Sequence, residues 1–430
     1  MASTDWFTTA RFGMFVHFGI YSGAARHEWV QTNERLTDEN YRQYFENFDP
    51  DLFDAAAIAR TAKQAGMQYA VLTTKHHDGF ALWNTALSDF SAQAVCGRDL
   101  VGEFVAALRA EGLRVGLYFS LIDWHHPDFT IDWVHPRRDD ENAAALNEGR
   151  DMSRYREFMH GQLRELLTGY GQIDYLFFDF TYPETKKDFS SPESKEGWVG
   201  KSAEDWDAAG LLAMCRELQP GVLINDRLGI PGDFVTPEQY QPTEPVMNDG
   251  VPVIWEACQT TNGSWGYHRD NDDHKAPDLL IRMLADSVSM NGNMLLNIGP
   301  NGRGAVDARD ARLLGQIGEW MRLHERSIVG AGHAPFTPPR EGVYTLRGNK
   351  LYLHLFSWPM GYVHLPELAG VATYARLLHD GSWLKMSVSD PEQEALVMRP
   401  AGQAAGTLTL SLPIRRPDVA MPVIELTLGE

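Results

Sequence analysis

Seven short apolar runs punctuate the first three-quarters of the chain, and between several of them apolar residues recur at helical spacing. The runs are Phe12–Phe18, Tyr69–Thr73, Arg114–Ser120, Ile173–Phe180, Gly221–Asp226, Pro252–Ala257 and Asn293–Gly299. The helical stretches include Leu52–Gly66, Leu100–Gly112, Ser153–Gly171, Ser202–Gly221, Asp278–Gly292 and Asp307–Ser327. Ser202-Ala-Glu-Asp205 predicts a capping box for the fourth of these, and Pro220 its stop. A strand that is apolar along its whole length has no face to give to water, so the runs belong to a parallel sheet covered on both sides. Seven or so such units in about 330 residues predict an α/β fold with a (β/α)8-like, TIM-type barrel rather than a doubly wound sheet. No GxGxxG follows the first run, which also weighs against a dinucleotide-binding sheet.

After about Pro338 the texture changes to short alternating runs broken by Gly, Pro and Asn: Gly342–Pro359, Gly370–Val388 and Gly406–Ile414. That pattern predicts a C-terminal antiparallel β-sandwich. The expected division is a barrel over 1–335 and a sandwich over 336–430, with Thr337–Arg340 as the link.

The polar residues of the first part fall at the ends of the apolar runs. His17, the adjacent pair His76 and His77, Tyr118, Asp179, the trio Asn225-Asp226-Arg227, Glu256 and Asn297 close successive runs. Any one of them reads equally well as a cap or turn residue. The whole series points to the C-terminal mouth of a barrel, where such folds build their sites. Asp179 follows the aromatic run Tyr175-Leu-Phe-Phe178, so its carboxylate requires a partner such as Arg227 or a histidine. An ionised Asp there suits a glycosidase nucleophile, which works with a second carboxyl about 5–5.5 Å away if configuration is retained. Trp29, Trp83, Trp124, Trp255 and Trp265 lie just after strands, where aromatic faces pack on the C–H faces of sugars. Two other readings of the same residues stay open. One is a metal-dependent hydrolase using His17, His76, His77 and Asp179, although adjacent histidines project differently and metal sites prefer spacings such as HxH. The other is a sugar-binding barrel without catalysis.

The formal net charge of −20 sets this surface against phosphate backbones and anionic membranes, so neither nucleic acid nor membrane is an expected partner. Three scattered cysteines without CxxC spacing predict reduced thiols, and no apolar stretch approaches the roughly 20 residues of a membrane helix. With no signal-peptide pattern at the N-terminus, the expected location is cytoplasmic.

From about Trp6 to Trp320 the ordered motifs resemble the α-L-fucosidases of glycoside hydrolase family 29. They are Arg-Phe-Gly-Met-Phe-Val-His17, Glu28-Trp29, Thr-Thr-Lys-His76-His77-Asp-Gly-Phe, Gly-Leu-Tyr118 and Tyr-Leu-Phe-Phe-Asp179. Asn-Asp-Arg227, Gly-Asp-Phe-Val-Thr-Pro-Glu238, Trp255-Glu256, Ser-Trp265-Gly-Tyr and Gly-Asn-Met-Leu-Leu-Asn-Ile-Gly-Pro follow. The resemblance implies a retaining exo-glycosidase that removes terminal α-L-fucose from oligosaccharides or glycoconjugates without a metal or other cofactor. It implies Asp179 as nucleophile and His17, Glu28, Trp29, His76, His77, Tyr118, Phe177, Arg227 and Trp265 as the sugar-binding shell. The general acid/base is expected at Glu238, with Glu256 as the alternative, and Asn297 reads as structural. A related sugar such as α-L-galactose is the alternative substrate; a homo-oligomer is left open. Two positions depart from the family pattern: Phe177 stands where Trp is common, and Leu228 follows Arg227 where Trp is frequent.

Overall fold

The computed structural model describes residues 3–185, 199–397 and 399–429. Seven parallel strands carry the first part: β1 Phe12–Val16, β2 Tyr69–Lys75, β3 Arg114–Ser120, β4 Tyr175–Asp179, β5 Leu223–Ile224, β6 Glu256–Thr260 and β7 Asn293–Ile298. They are hydrogen-bonded in the order β6-β7-β1-β2-β3-β4-β5. The gap between β5 and β6 is filled by Phe234–Gln239, which makes isolated parallel bridges on both sides: Asn225 with Phe234, Val235 with Trp255, and Glu238 with Cys258. Asp233 N–H donates to Ile224 O at 2.7 Å, and Glu256 N–H to Val235 O at 2.9 Å. This segment is the eighth stave, and it closes the barrel. Pro237 has no N–H to give a ladder, so the stave is bridged rather than continuously paired.

The sixth run begins and ends later than the sequence predicts. Val251 and Pro252 pair with Met247 and Asn248 in a small exposed hairpin, and the barrel strand is Glu256–Thr260. Glu256 therefore stands at the start of its strand, beside Asn293 at the start of β7, instead of at the mouth.

The larger helices, Ala55–Gln64, Leu100–Ala110, Met152–Gly169, Ala208–Leu218, Pro277–Ser289 and Ala308–His324, lie outside the sheet. Five of the six start on an aspartate whose side chain accepts a backbone N–H: Asp54, Asp99, Asp151, Asp207 and Asp307. Each satisfies an orphan donor and places negative charge at the positive end of the helix dipole. The expected cap at Ser202 is displaced: Ser202 and Asp205 bond each other in a turn, and Asp207 caps the helix.

The later strands are antiparallel: β8 Gly342–Arg347, β9 Lys350–Leu355, β10 Tyr362–Leu365, β11 Ala372–Leu377, β12 Met386–Ser387, β13 Leu408–Ser411 and β14 Val423–Leu428. They form a sheet β8-β9-β14-β11 and a second sheet β10-β13-β12. Leu351, Leu353, Leu365, Leu410, Ile424 and Leu426 from both sheets share one apolar core, which makes a sandwich. The Trp320 indole N–H donates to Met421 O at 2.7 Å and Thr345 Oγ1 to Ser327 O at 2.7 Å, tying the sandwich to the barrel's last helix. Among the described residues no helix is long and apolar enough to cross a membrane.

Candidate active site

Side chains alternate along a strand, so Phe15 and His17 of the first run point into the barrel while Val16 points out to the helices. The same parity turns Tyr118 and Ser120 inward on β3, and Phe177 and Asp179 inward on β4. Phe15, Tyr118 and Phe177 make an aromatic floor, with ring centroids 5.2–5.8 Å apart. Above it lies a cleft of about 360 Å³, mouth included, walled by His17, His76, His77, Trp29, Asp179, Phe180, Arg227, Glu238, Cys258 and Trp265.

Each histidine is neutral because burial disfavours the imidazolium. His17 and His77 are both pushed down to about 3, and His76 is lowered well below the ordinary value. Their partners also settle two tautomers. Asn297 Nδ2 donates to Trp265 O at 2.7 Å, which turns its Oδ1 toward His17 Nδ1 at 2.6 Å. His17 thus donates from Nδ1 and keeps a lone pair on Nε2. Ser120 Oγ gives its proton to Ile122 O at 2.8 Å and accepts His77 Nδ1–H at 2.7 Å, so His77 Nε2 is likewise an acceptor. Among the described residues His76 Nδ1 has no hydrogen-bond partner. Buried imidazoles with unused nitrogens are suited to the hydroxyls of a neutral ligand.

Asp179 accepts the Tyr118 hydroxyl at 2.9 Å and an Arg227 Nη1–H at 2.8 Å, and His77 Nε2 lies 3.8 Å away. The same Nη1 meets Glu238 Oε2 at 2.7 Å. The two carboxylate oxygens are therefore at most about 5.5 Å apart, the two contacts laid end to end. Their settings differ: the Asp179 side chain is 12% exposed and that of Glu238 41%. One carboxylate is fixed inside the cleft; the other stands at its mouth.

A family model for α-L-fucosidases matches residues 1–326. The chain belongs to the α-L-fucosidase family. Isoenzyme 1 of the α-L-fucosidases of Paenibacillus thiaminolyticus has a structure that superposes with a TM-score of 0.89 at 43% identity, covering 99% of both chains. An α-L-fucosidase from Bacteroides thetaiotaomicron, trapped as a covalent intermediate with 2-fluoro-fucosyl fluoride, superposes at 0.81 and 27% identity, covering 99% of this chain and 95% of that one. Human plasma α-L-fucosidase is 30% identical over 424 residues, 89% of this chain and 83% of the relative.

Of the residues expected to act in catalysis or sugar binding, all but Glu28 and Glu256 line the cleft. Glu28 is buried behind the wall, where Oε2 accepts Gly266 N–H at 2.7 Å; burial pushes its carboxyl up to about 7. It braces the loop that presents Trp265. Glu256 lies at the opposite end of the barrel, fully buried, with the hydroxyls of Tyr69 and Tyr175 on its two oxygens. Tyr69 reaches it because Gly13 is bare: a Cβ there would stand 2.3 Å from the Tyr69 ring. Of the two departures, Phe177 lines the cleft beneath Arg227, whose guanidinium is 4.9 Å from the ring centroid, while Leu228 is buried in the outer core. Phe15, Phe180 and Cys258 line the cleft without having stood out in the sequence. The first and last read as ordinary core, and Phe180 faces the cleft through a left-handed backbone, φ 81°, that no residue type announces.

Burial raises the Glu256 carboxyl from an ordinary 4.5 to about 7. Between those values the folded state holds a proton that the unfolded state has lost, so this group's contribution to stability falls as pH rises through that window. The expected result for Glu256→Gln is unchanged hydrolysis, together with a melting temperature that gains on wild type from pH 4.5 to 7. Thermal melts across that range check it; loss of activity with an intact fold would return Glu256 to the chemistry.

Proposed function

We propose that this chain is a retaining exo-α-L-fucosidase that releases terminal fucose from oligosaccharides or glycoconjugates, with Asp179 as nucleophile and Glu238 as acid/base. The observation that carries the reading is the single Arg227 nitrogen shared by both carboxylates, a spacing suited to double displacement. In the first step an Asp179 oxygen bonds to the anomeric carbon, the glycosidic C–O bond breaks, and the departing oxygen takes the proton of Glu238. In the second, Glu238 takes a proton from water, the water oxygen bonds to the same carbon, and the bond to Asp179 breaks. His17, His76 and His77 accept or share ring hydroxyls, with Trp29 and Trp265 against the apolar edges of the sugar. A closed aromatic floor leaves the cleft a dead end, which favours a terminal residue over an internal one. The covalent intermediate of the Bacteroides relative supports the two-step route.

The test is hydrolysis of an aryl α-L-fucoside followed by proton NMR. First-formed α-L-fucose is the expected product. First-formed β-L-fucose, or preference for an α-L-galactoside over the fucoside, would overturn the reading.

A further inference from the structure

All three nitrogens of the Arg227 guanidinium have partners. Nη1 serves Asp179 and Glu238. Nε donates to Thr236 Oγ1 at 2.9 Å, and Nη2 to Thr236 O at 3.2 Å and Cys258 Sγ at 3.5 Å. Thr236 alone therefore takes two of the five donors a guanidinium owns, one by its side chain and one by its backbone. Its hydroxyl proton goes to Asp226 Oδ1 at 3.0 Å, which leaves a lone pair facing Nε. Thr236 is buried, it sits two residues before Glu238 on the closing stave, and Asp226 is the immediate neighbour of Arg227.

From this geometry we infer that Thr236, oriented by Asp226, is a positioning residue that aims Arg227 at both carboxylates and holds the stave of Glu238 in step with Asp179. The inference rests on the roles assigned to those carboxylates above. Arg227 joins four partners, and only the Thr236 hydroxyl fixes its Nε edge. Without that hydroxyl the guanidinium is free to turn about its side-chain bonds, and Nη1 leaves the line between Asp179 and Glu238. Displacements of about 1 Å at such a place are worth up to on the order of 10²-fold in rate. The histidine and aromatic contacts to the sugar do not depend on that motion, so its effect falls mainly on kcat.

The test uses the full chain with Thr236→Val, which keeps shape and removes the hydroxyl, and Thr236→Ser, which restores it. With an aryl α-L-fucoside of poor leaving ability, Thr236→Val is expected to lower kcat by about 10- to 100-fold with KM within about twofold. The loss should shrink with a good leaving group, which needs less proton donation. Thr236→Ser should recover most of the rate and the wild-type dependence on leaving group. Unchanged kcat in Thr236→Val would overturn the inference, as would a loss equal for good and poor leaving groups, or one that Thr236→Ser shares and that tracks a lower melting temperature. An inactive wild type would instead refute the fucosidase reading on which it rests.

Discussion

Asp179→Ala is expected to lower kcat for an aryl α-L-fucoside by on the order of 10⁴-fold or more, a barrier increase of about 5 kcal/mol. The expectation follows from the wiring of that carboxylate. Tyr118 and Arg227 each donate to one of its oxygens, which pairs a buried carboxylate and fixes its direction without burying it in bonds. Its strand is paired on both sides, so the neighbouring backbone has no reason to move when the side chain is cut back. The distinguishing readout is azide. A small anion entering the space left by the carboxylate attacks from the same face, so rescue should yield β-L-fucosyl azide. Wild-type turnover in Asp179→Ala without azide would remove it from the nucleophile's role.

Glu238→Gln carries the second large effect, and it is graded. General acid–base assistance is worth roughly 10²–10⁴-fold, so substrates with poor leaving groups should lose that much. For a good leaving group the first step survives, the fucosyl-enzyme accumulates, and its breakdown limits the rate. In Glu238→Ala, azide should supply the second-step nucleophile and yield α-L-fucosyl azide, the opposite anomer to the Asp179 case. Arg227 Nη1 meets Glu238 through Oε2, which leaves Oε1 to carry the proton to the leaving oxygen. Its exposed position on a bridged stave leaves it room to do so. Equal loss for good and poor leaving groups would remove the proton-donor role and leave Glu238 as a binding residue.

The parts of this architecture written in apolar pattern were legible in the sequence. Phe12–Phe18, Arg114–Ser120 and Asn293–Gly299 coincide closely with β1, β3 and β7; His17 and Tyr118 from the first two meet in one cleft, and Asn297 from the third holds His17. The eighth stave was not legible as a strand, because Phe234–Gln239 has a proline in the middle and polar residues beyond it, and its pairing depends on neighbours distant in the chain. The misplacement of Glu256 has the same origin. Val251-Pro252-Val-Ile-Trp255 reads as a strand by composition, yet its first two residues form an exposed hairpin and the register starts later. Glu28 sits next to Trp29 in sequence, but Trp29 lines the cleft while the Glu28 carboxylate turns to Gly266 N–H. Asn297 was read as structural, and its carboxamide is what orients His17.

The closing stave has a mechanical consequence. Asp179 and the floor beneath the sugar are woven into continuous ladders, whereas Glu238 rides on a strip stitched at a few points, with no helix between Ile224 and Glu256 among the described residues. With the proposed roles, fucose recognition and bond attack belong to the warp of the barrel, and proton delivery to its seam. Exchanging residues 234–239 for a segment of other length or curvature would retune which leaving groups are served while the fucose pocket stays sewn shut.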